Sequence, residues 1–178
     1  MFARTERLLL RPSWAEDAPA LAKAIADEAI VRNLATAPWP YDLGEAIAFI
    51  DAPKDPVLPT FLLFKRTTGA PELVGASGFA RKPSGAVEIG YWIARAHWGH
   101  GFATEAGRQL VEIARTIGID QLEAAHFVDN PASGRVLEKL GFTSTGRTGQ
   151  RHSCARGGEH KVKMFTLDLG CGEAMLAA

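Results

Sequence analysis

An excess of charge of one sign is missing from this sequence. Its 178 residues carry 20 Lys+Arg and 20 Asp+Glu, so no net field draws it to nucleic acid or to an anionic membrane. Cysteine is scarce. Cys154 and Cys171 match no zinc or redox spacing, and the plain reading is two reduced thiols in a cytosolic chain. Long apolar runs are absent as well. No stretch approaches the roughly 18 residues of a membrane helix. The start, Met1-Phe2-Ala3-Arg4-Thr5-Glu6-Arg7, is too charged for a secretory signal, and Leu8-Leu9-Leu10 is too short for its apolar region. No His, Cys and carboxylate cluster has metal-ligand spacing. A cytoplasmic protein is expected, with no membrane, nucleic-acid or metal partner. Repeats, low-complexity tracts and linkers are lacking too. The expectation is one domain over 1–178, with a core at about 6–169 and a tail from Gly170 to Ala178.

What is present is an ordinary apolar fraction, 47%. A chain of this length buries roughly 70% of its surface on folding, enough for a core without staples. Leu8-Leu9-Leu10-Arg11-Pro12 reads as a strand stopped by proline. From Glu16 to Leu34, Leu21, Ala24, Ile25 and Ala29 recur at helical spacing. Asp42 is placed to cap a short helix through Ile50. Three strands follow at 60–65, 72–80 and 86–93, joined by turns too short for a parallel crossover, so they form an antiparallel meander. Ala103, Ala106, Leu110, Ile113, Ala114 and Ile117 then mark a helix ending near Gly118. A strand at 121–128, a helix from Pro131 to Leu140 closed by Gly141, and a final strand at 161–169 complete the chain. The fold class is α/β of the α+β type: one mixed, mostly antiparallel sheet flanked by helices.

Two segments carry chemistry. Trp98-Gly99-His100-Gly101-Phe102-Ala103-Thr104 joins the strand ending at Ile93 to a helix. Glycine lets backbone approach a ligand closely, and a helix start offers unpaired N–H groups and partial positive charge. A phosphate cradle and a bare tight turn are both open readings. A P-loop is excluded because no lysine stands at its place. A dinucleotide fingerprint fails because Thr104 replaces the last glycine. The second segment runs from Val128 to Phe142. Asn130 precedes Pro131, which suits a first helical turn, and as a plain cap it needs no ligand.

Together the two segments resemble the GNAT N-acetyltransferase superfamily, and within it the RimJ/RimL-like group. The resemblance spans Thr5-Glu6-Arg7-Leu8-Leu9-Leu10-Arg11-Pro12 to the strand ending near Leu169. The family's [Q/R]xxGx[G/A] motif matches Trp98 to Ala103, with tryptophan at the first place. Its Asn-helix-Leu-Gly-Phe motif matches Asn130 to Phe142. The resemblance implies the GNAT acyl-CoA N-acyltransferase fold and acetyl-CoA as cosubstrate. Transfer would go directly to a primary amine, on a protein N-terminus or a small molecule, in a ternary complex. Backbone N–H groups from Gly99, His100, Gly101, Phe102, Ala103 and Thr104 would hold the pyrophosphate, with Trp98 part of the same turn. Ile93 would pair with the pantetheine and offer an N–H to the thioester carbonyl. Asn130 would bond the pantetheine arm, and Phe142 would line the acyl tunnel. A monomer or homodimer is expected.

For the base, Glu88 lies on the strand leading to the turn, sharing a face with Gly90 and Trp92 and opposite Ile89, Tyr91 and Ile93. A carboxylate amid apolar neighbours suits proton transfer, through water; an exposed strand glutamate is the plainer alternative. Glu105 is expected to support its helix start. The family's usual acid, a tyrosine seven residues after the asparagine, is Leu137 here. Ser133, one turn earlier, is the implied thiol-positioning group. His97 and His100 flank the turn, either as phosphate contacts or as plain surface histidines. On the acceptor side, Trp39 and Tyr41 either stack on a substrate or anchor their loop. Arg147, Arg151, Arg156, Lys161 and Lys163 outnumber Glu159, which describes a solvated loop or a site for an anionic acceptor. A non-catalytic CoA-binding sensor and an O-acyltransferase are the competing functions.

Overall fold

The computed structural model describes residues 1–170. The expected tail, apart from Gly170, lies outside them. A short β1 (Ala3–Arg4) pairs with β2 (Leu8–Arg11), whose Leu8 and Leu10 point into the core. The stretch read as one helix is divided. After a 3-10 turn at Ala15–Asp17 come α1 (Ala18–Ile25) and α2 (Glu28–Val31). The break has a local cause: the Asp27 carboxylate accepts the Ala29 N–H at 2.8 Å and starts a new helix. α3 (Leu43–Asp51) begins as expected, with Asp42 accepting from the Glu45 N–H at 3.0 Å.

β3 (Thr60–Lys65), β4 (Glu72–Arg81) and β5 (Val87–Ile93) form the antiparallel meander. α4 (Phe102–Thr116) lays Ala106, Leu110, Ile113 and Ala114 on the sheet. Then follow β6 (Gln121–Phe127), α5 (Pro131–Lys139), β7 (Thr143–Ser153) and β8 (Gly158–Asp168). Gly107 lets α4 and α5 approach: a Cβ there would stand 2.5 Å from a Leu140 methyl. β7 was not foreseen as a strand. It is the outer edge of the sheet and almost wholly exposed, so it carries no apolar alternation to read.

Among the described residues, eight strands run in the order β1-β2-β3-β4-β5-β6-β8-β7. Every pairing is antiparallel except β5 with β6. That parallel pair is brief. Only Val87–Leu122 and Glu88–Glu123 are in register, after which the strands part. One core, with Leu8, Phe61, Ile89, Leu110 and Leu137, fills the α4–α5 face. The other, with Leu21, Ile25, Val31, Leu62 and Phe64, fills the α1–α3 face. The parting of β5 from β6 therefore opens a passage between the two faces.

Candidate active site

A cavity of about 490 Å³ occupies the parting. Its walls come from both sides of the sheet. Tyr91, Ile93, Ser133 and Leu137 line it on the α4–α5 side; Glu88, Gly90, Trp92 and Ile30 line it on the other.

At one end lies the glycine turn. Gly99 and Gly101 both have φ near +80°, a left-handed conformation that side-chain-bearing residues rarely adopt. Gly101 is the N-cap of the 15-residue α4, and no side chain among the described residues caps that helix start. The first N–H groups of α4 are thus left for a ligand, with the positive end of the helix dipole behind them. The turn is braced from behind. Arg7 donates from Nε to Glu105 Oε2 at 2.7 Å and from Nη1 to the His100 carbonyl at 3.0 Å. Thr5 Oγ1 and the Arg7 N–H both donate to Glu105 Oε1, at 2.6 and 2.8 Å. Burial alone would raise the Glu105 pKa, but these hydrogen bonds and the Arg7 charge hold it below its ordinary 4.5. Glu105 therefore does more than favour its helix start: it ties the N-terminal segment to the turn. The His100 ring stacks on Phe102, and the Trp98 indole N–H donates to the Ile93 carbonyl at 2.7 Å.

The free edge of β5 is the second feature. The Ala94 N–H donates to the Val74 carbonyl of β4 at 2.8 Å. By alternation, Tyr91 and Ile93 turn their backbone groups to the opposite side, where β6 has moved away. Trp98 occupies the Ile93 carbonyl, so it is the Ile93 N–H that faces the opening. Across the gap, Asn130 Oδ1 accepts the Ser133 N–H at 3.4 Å and caps α5, which leaves the Asn130 amide NH2 outside the cap.

Several expected residues have other surroundings. Glu88 borders the cavity, but not among apolar neighbours. Arg151 of β7 donates to both its oxygens, at 2.5 and 2.6 Å, and Lys82 Nζ stands 3.6 Å away while also pairing with Glu123. The Glu88 hydrogen bonds raise the Arg151 pKa against the effect of its burial. Of the basic residues read as a solvated loop or a site for an anionic acceptor, Arg156 is engaged in the same way. Arg156 binds both Asp129 oxygens, the Arg32 carbonyl and Asn33 Oδ1, which pins the β7–β8 turn to the end of α2. Tyr41 is buried in the α1–α3 core and donates to the Glu45 carbonyl at 3.3 Å; Trp39 is 43% exposed, and neither lines the cavity. Tyr41 thus anchors its loop by packing, whereas Trp39 is open to solvent. Phe142 is likewise core, packed under α4 and α5.

A family model described as "Acetyltransferase (GNAT) domain" matches residues 7–143. The chain belongs to the GNAT acetyltransferase family. A curated relative, "Uncharacterized N-acetyltransferase p20" of Bacillus licheniformis, is 31% identical over 170 residues, covering 92% of this chain and 93% of that protein. Among solved structures, "RimL- Ribosomal L7/L12 alpha-N-protein acetyltransferase" in complex with coenzyme A superposes with a TM-score of 0.78 at 22% identity, over 94% of this chain and 98% of that one. The "Microcin C7 self immunity acetyltransferase MccE", in complex with acetyl-CoA and AMP, gives 0.76 at 18%, over 92% and 93%.

Two residues of this GNAT chain escaped the sequence reading. The Tyr91 hydroxyl reaches Ser133, 2.9 Å from Oγ and 3.2 Å from its carbonyl. Alternation put Tyr91 on the correct face of β5, but nothing local revealed that α5 lies across from it. His126 is buried and borders the cavity, with Nδ1 2.8 Å from the Phe127 carbonyl. A carbonyl only accepts, so Nδ1 carries the proton. The other ring nitrogen faces Gly134, where a Cβ would come within 2.8 Å. Glycine is what lets α5 sit on this ring.

Proposed function

We propose that this GNAT chain moves an acetyl group from acetyl-CoA to a primary amine by direct transfer in a ternary complex, as a cytoplasmic enzyme of RimJ/RimL type. The observation that carries the proposal is the pairing of an uncapped α4 N-terminus, approached by two left-handed glycines, with the unpaired edge of β5. The residues fit the cosubstrate. N–H groups of Gly101, Phe102, Ala103 and Thr104 suit a pyrophosphate. The cleft-facing β5 edge, with Asn130 opposite, suits the amides of a pantetheine arm.

Acetyl-CoA supplies the activated acyl carbon; the chain supplies the surroundings. The Ile93 N–H would meet the thioester carbonyl as it develops negative charge, and such a donor is typically worth about 3 kcal/mol. Glu88, on the opposite wall, attracts an ammonium and takes its proton through water. Each carboxylate oxygen accepts one Arg151 hydrogen bond and keeps a second lone pair for this. Ser133 donates to the departing sulfur, because Leu137 offers no polar group. A thiolate with a pKa of roughly 8.5 leaves with little protonation.

RimL, a ribosomal L7/L12 alpha-N-protein acetyltransferase, and MccE, a microcin C7 self immunity acetyltransferase held with acetyl-CoA and AMP, share this fold. The acceptor here is therefore proposed only as a primary amine. The test is thiol release from acetyl-CoA with a panel of amines: free amino acids, peptides with free N-termini and aminonucleosides. Turnover with at least one amine supports transfer. Tight CoA binding without thiol release from any of them favours the second reading, a CoA-binding sensor, which the clasped Glu88 and the apolar Leu137 keep in view.

A further inference from the structure

Ser133 is the one hydroxyl on the part of α5 that borders the cavity; its neighbours there are Ala132, Val136, Leu137 and Lys139. A serine this close to a helix start ordinarily turns its proton back to a backbone carbonyl. Here the Tyr91 hydroxyl, arriving from β5, has two acceptors for its one proton, Ser133 Oγ at 2.9 Å and the Ser133 carbonyl at 3.2 Å, and Oγ is the nearer. Tyr91 packs, partly buried, against the α4–α5 core that holds Ile89 and Ile93, and from there its hydroxyl reaches α5.

We infer that Tyr91 is a positioning residue for the leaving thiolate: it donates its one proton to Ser133 Oγ and so frees the Ser133 proton to point at the sulfur. This rests on the acetyltransferase reading above. As the acetyl carbon passes to the amine, the C–S bond breaks and its electron pair stays on sulfur. Ser133 stabilises that thiolate by a hydrogen bond and keeps its own proton. The amine's proton goes to Glu88 through water, and the thiolate takes a proton from solvent after release.

Acidity disfavours a relay that carries Tyr91's proton all the way to sulfur. Burial pushes the Tyr91 pKa up to about 12, against the smaller opposing effect of the Ser133 hydrogen bond. A thiol of pKa roughly 8.5 is the stronger acid by more than three powers of ten. The same burial keeps Tyr91 protonated, and hence a donor, throughout the working pH range.

The test uses the full chain with CoA itself. The thiol of bound CoA is titrated by its thiolate ultraviolet absorbance in wild type, Tyr91→Phe, Ser133→Ala and the double variant. Tyr91→Phe keeps the ring that the core needs, and thermal melting checks that each variant is folded. The expected result is a bound thiol more acidic than free CoA. Each single variant then weakens that acidity by about tenfold in the thiolate equilibrium, and the double variant by no more than Ser133→Ala alone. In turnover, Tyr91→Phe lowers kcat by about tenfold with KM for acetyl-CoA within about twofold. An unchanged thiol titration in Tyr91→Phe overturns the inference. So does a Tyr91 effect that persists at full size once Ser133 is alanine, since Tyr91 would then act by another route. Absence of CoA binding overturns both this inference and the function it rests on. Normal thiol titrations without acetyl transfer to any amine overturn the function alone.

Discussion

Replacing Glu88 separates two roles that the same side chain holds. Glu88 is 14% and Arg151 27% exposed, so the pair is neither a surface bridge nor a sealed one. Removing one partner of a fully buried pair costs about 3–5 kcal/mol, and an exposed pair contributes about 0–1. With this exposure, and with Lys82 still nearby, Glu88→Gln should cost about 2 kcal/mol. For a chain of this size that lowers Tm by roughly 4–8 °C. Arg151→Met should cost a similar amount by stranding the carboxylate. The double variant leaves neither charge unmatched, so its loss should fall short of the sum by about 1–2 kcal/mol. Activity should not follow stability. If Glu88 takes the amine's proton, kcat falls in Glu88→Gln and stays low in the double variant, while Arg151→Met retains more turnover than either. The assay is a double-mutant cycle scored in parallel by thermal melting and by thiol release at pH 7. Recovery of wild-type kcat in the double variant would refute the catalytic role and leave Glu88 as an architectural ion pair.

Gly101→Val places a β-branched residue at φ near +80°, although the space for its Cβ is ordinary, 3.6 Å from Arg7 Nη2. The cost is backbone strain of about 1–2 kcal/mol or more, and the N–H groups of the turn are re-aimed. CoA affinity by calorimetry should drop at least about tenfold, and wild-type affinity would contradict the cradle. Glu105 has a pKa lowered in the fold, so its contribution is full above its unfolded value of 4.5 and disappears as pH falls through the folded one. CoA binding should hold from pH 7 to about 5 and weaken below, and Glu105→Gln should flatten that acid limb. Both tyrosines of the chain, Tyr41 and Tyr91, have pKa values raised to about 12, first of all by burial. The stability tied to their neutral forms is full below about pH 10 and is lost as pH rises towards 12. Tyrosinate absorbance should therefore stay low near pH 10.5 and appear together with loss of the fold; titration near pH 10 in the folded protein would show that the rings are accessible.

The sequence by itself determined what short-range physics controls. Apolar stretches between short turns located the meander, apolar periodicity located α4, and Asp42 declared the start of α3. The glycines of Trp98–Ala103 marked a backbone that lets a ligand approach closely beside a helix start, and Asn130 with Pro131 marked the opening of α5. Those signals depend on a residue and its near neighbours, so they survive in one dimension. Asp27 was equally legible as a cap and was hidden only by the helical spacing around it.

Tertiary structure alone decided which distant groups meet. Arg151 grips Glu88 across 63 residues, and Tyr91 reaches Ser133 across 42. Neither contact leaves a local trace, because each is set by strand order and by the point where β6 stops pairing with β5. The same parting gave the glycine turn something to serve: an open strand edge beside an uncapped helix. β7 was unreadable for the opposite reason, since an exposed edge strand needs no apolar pattern, yet it delivers the arginine that changes the character of Glu88.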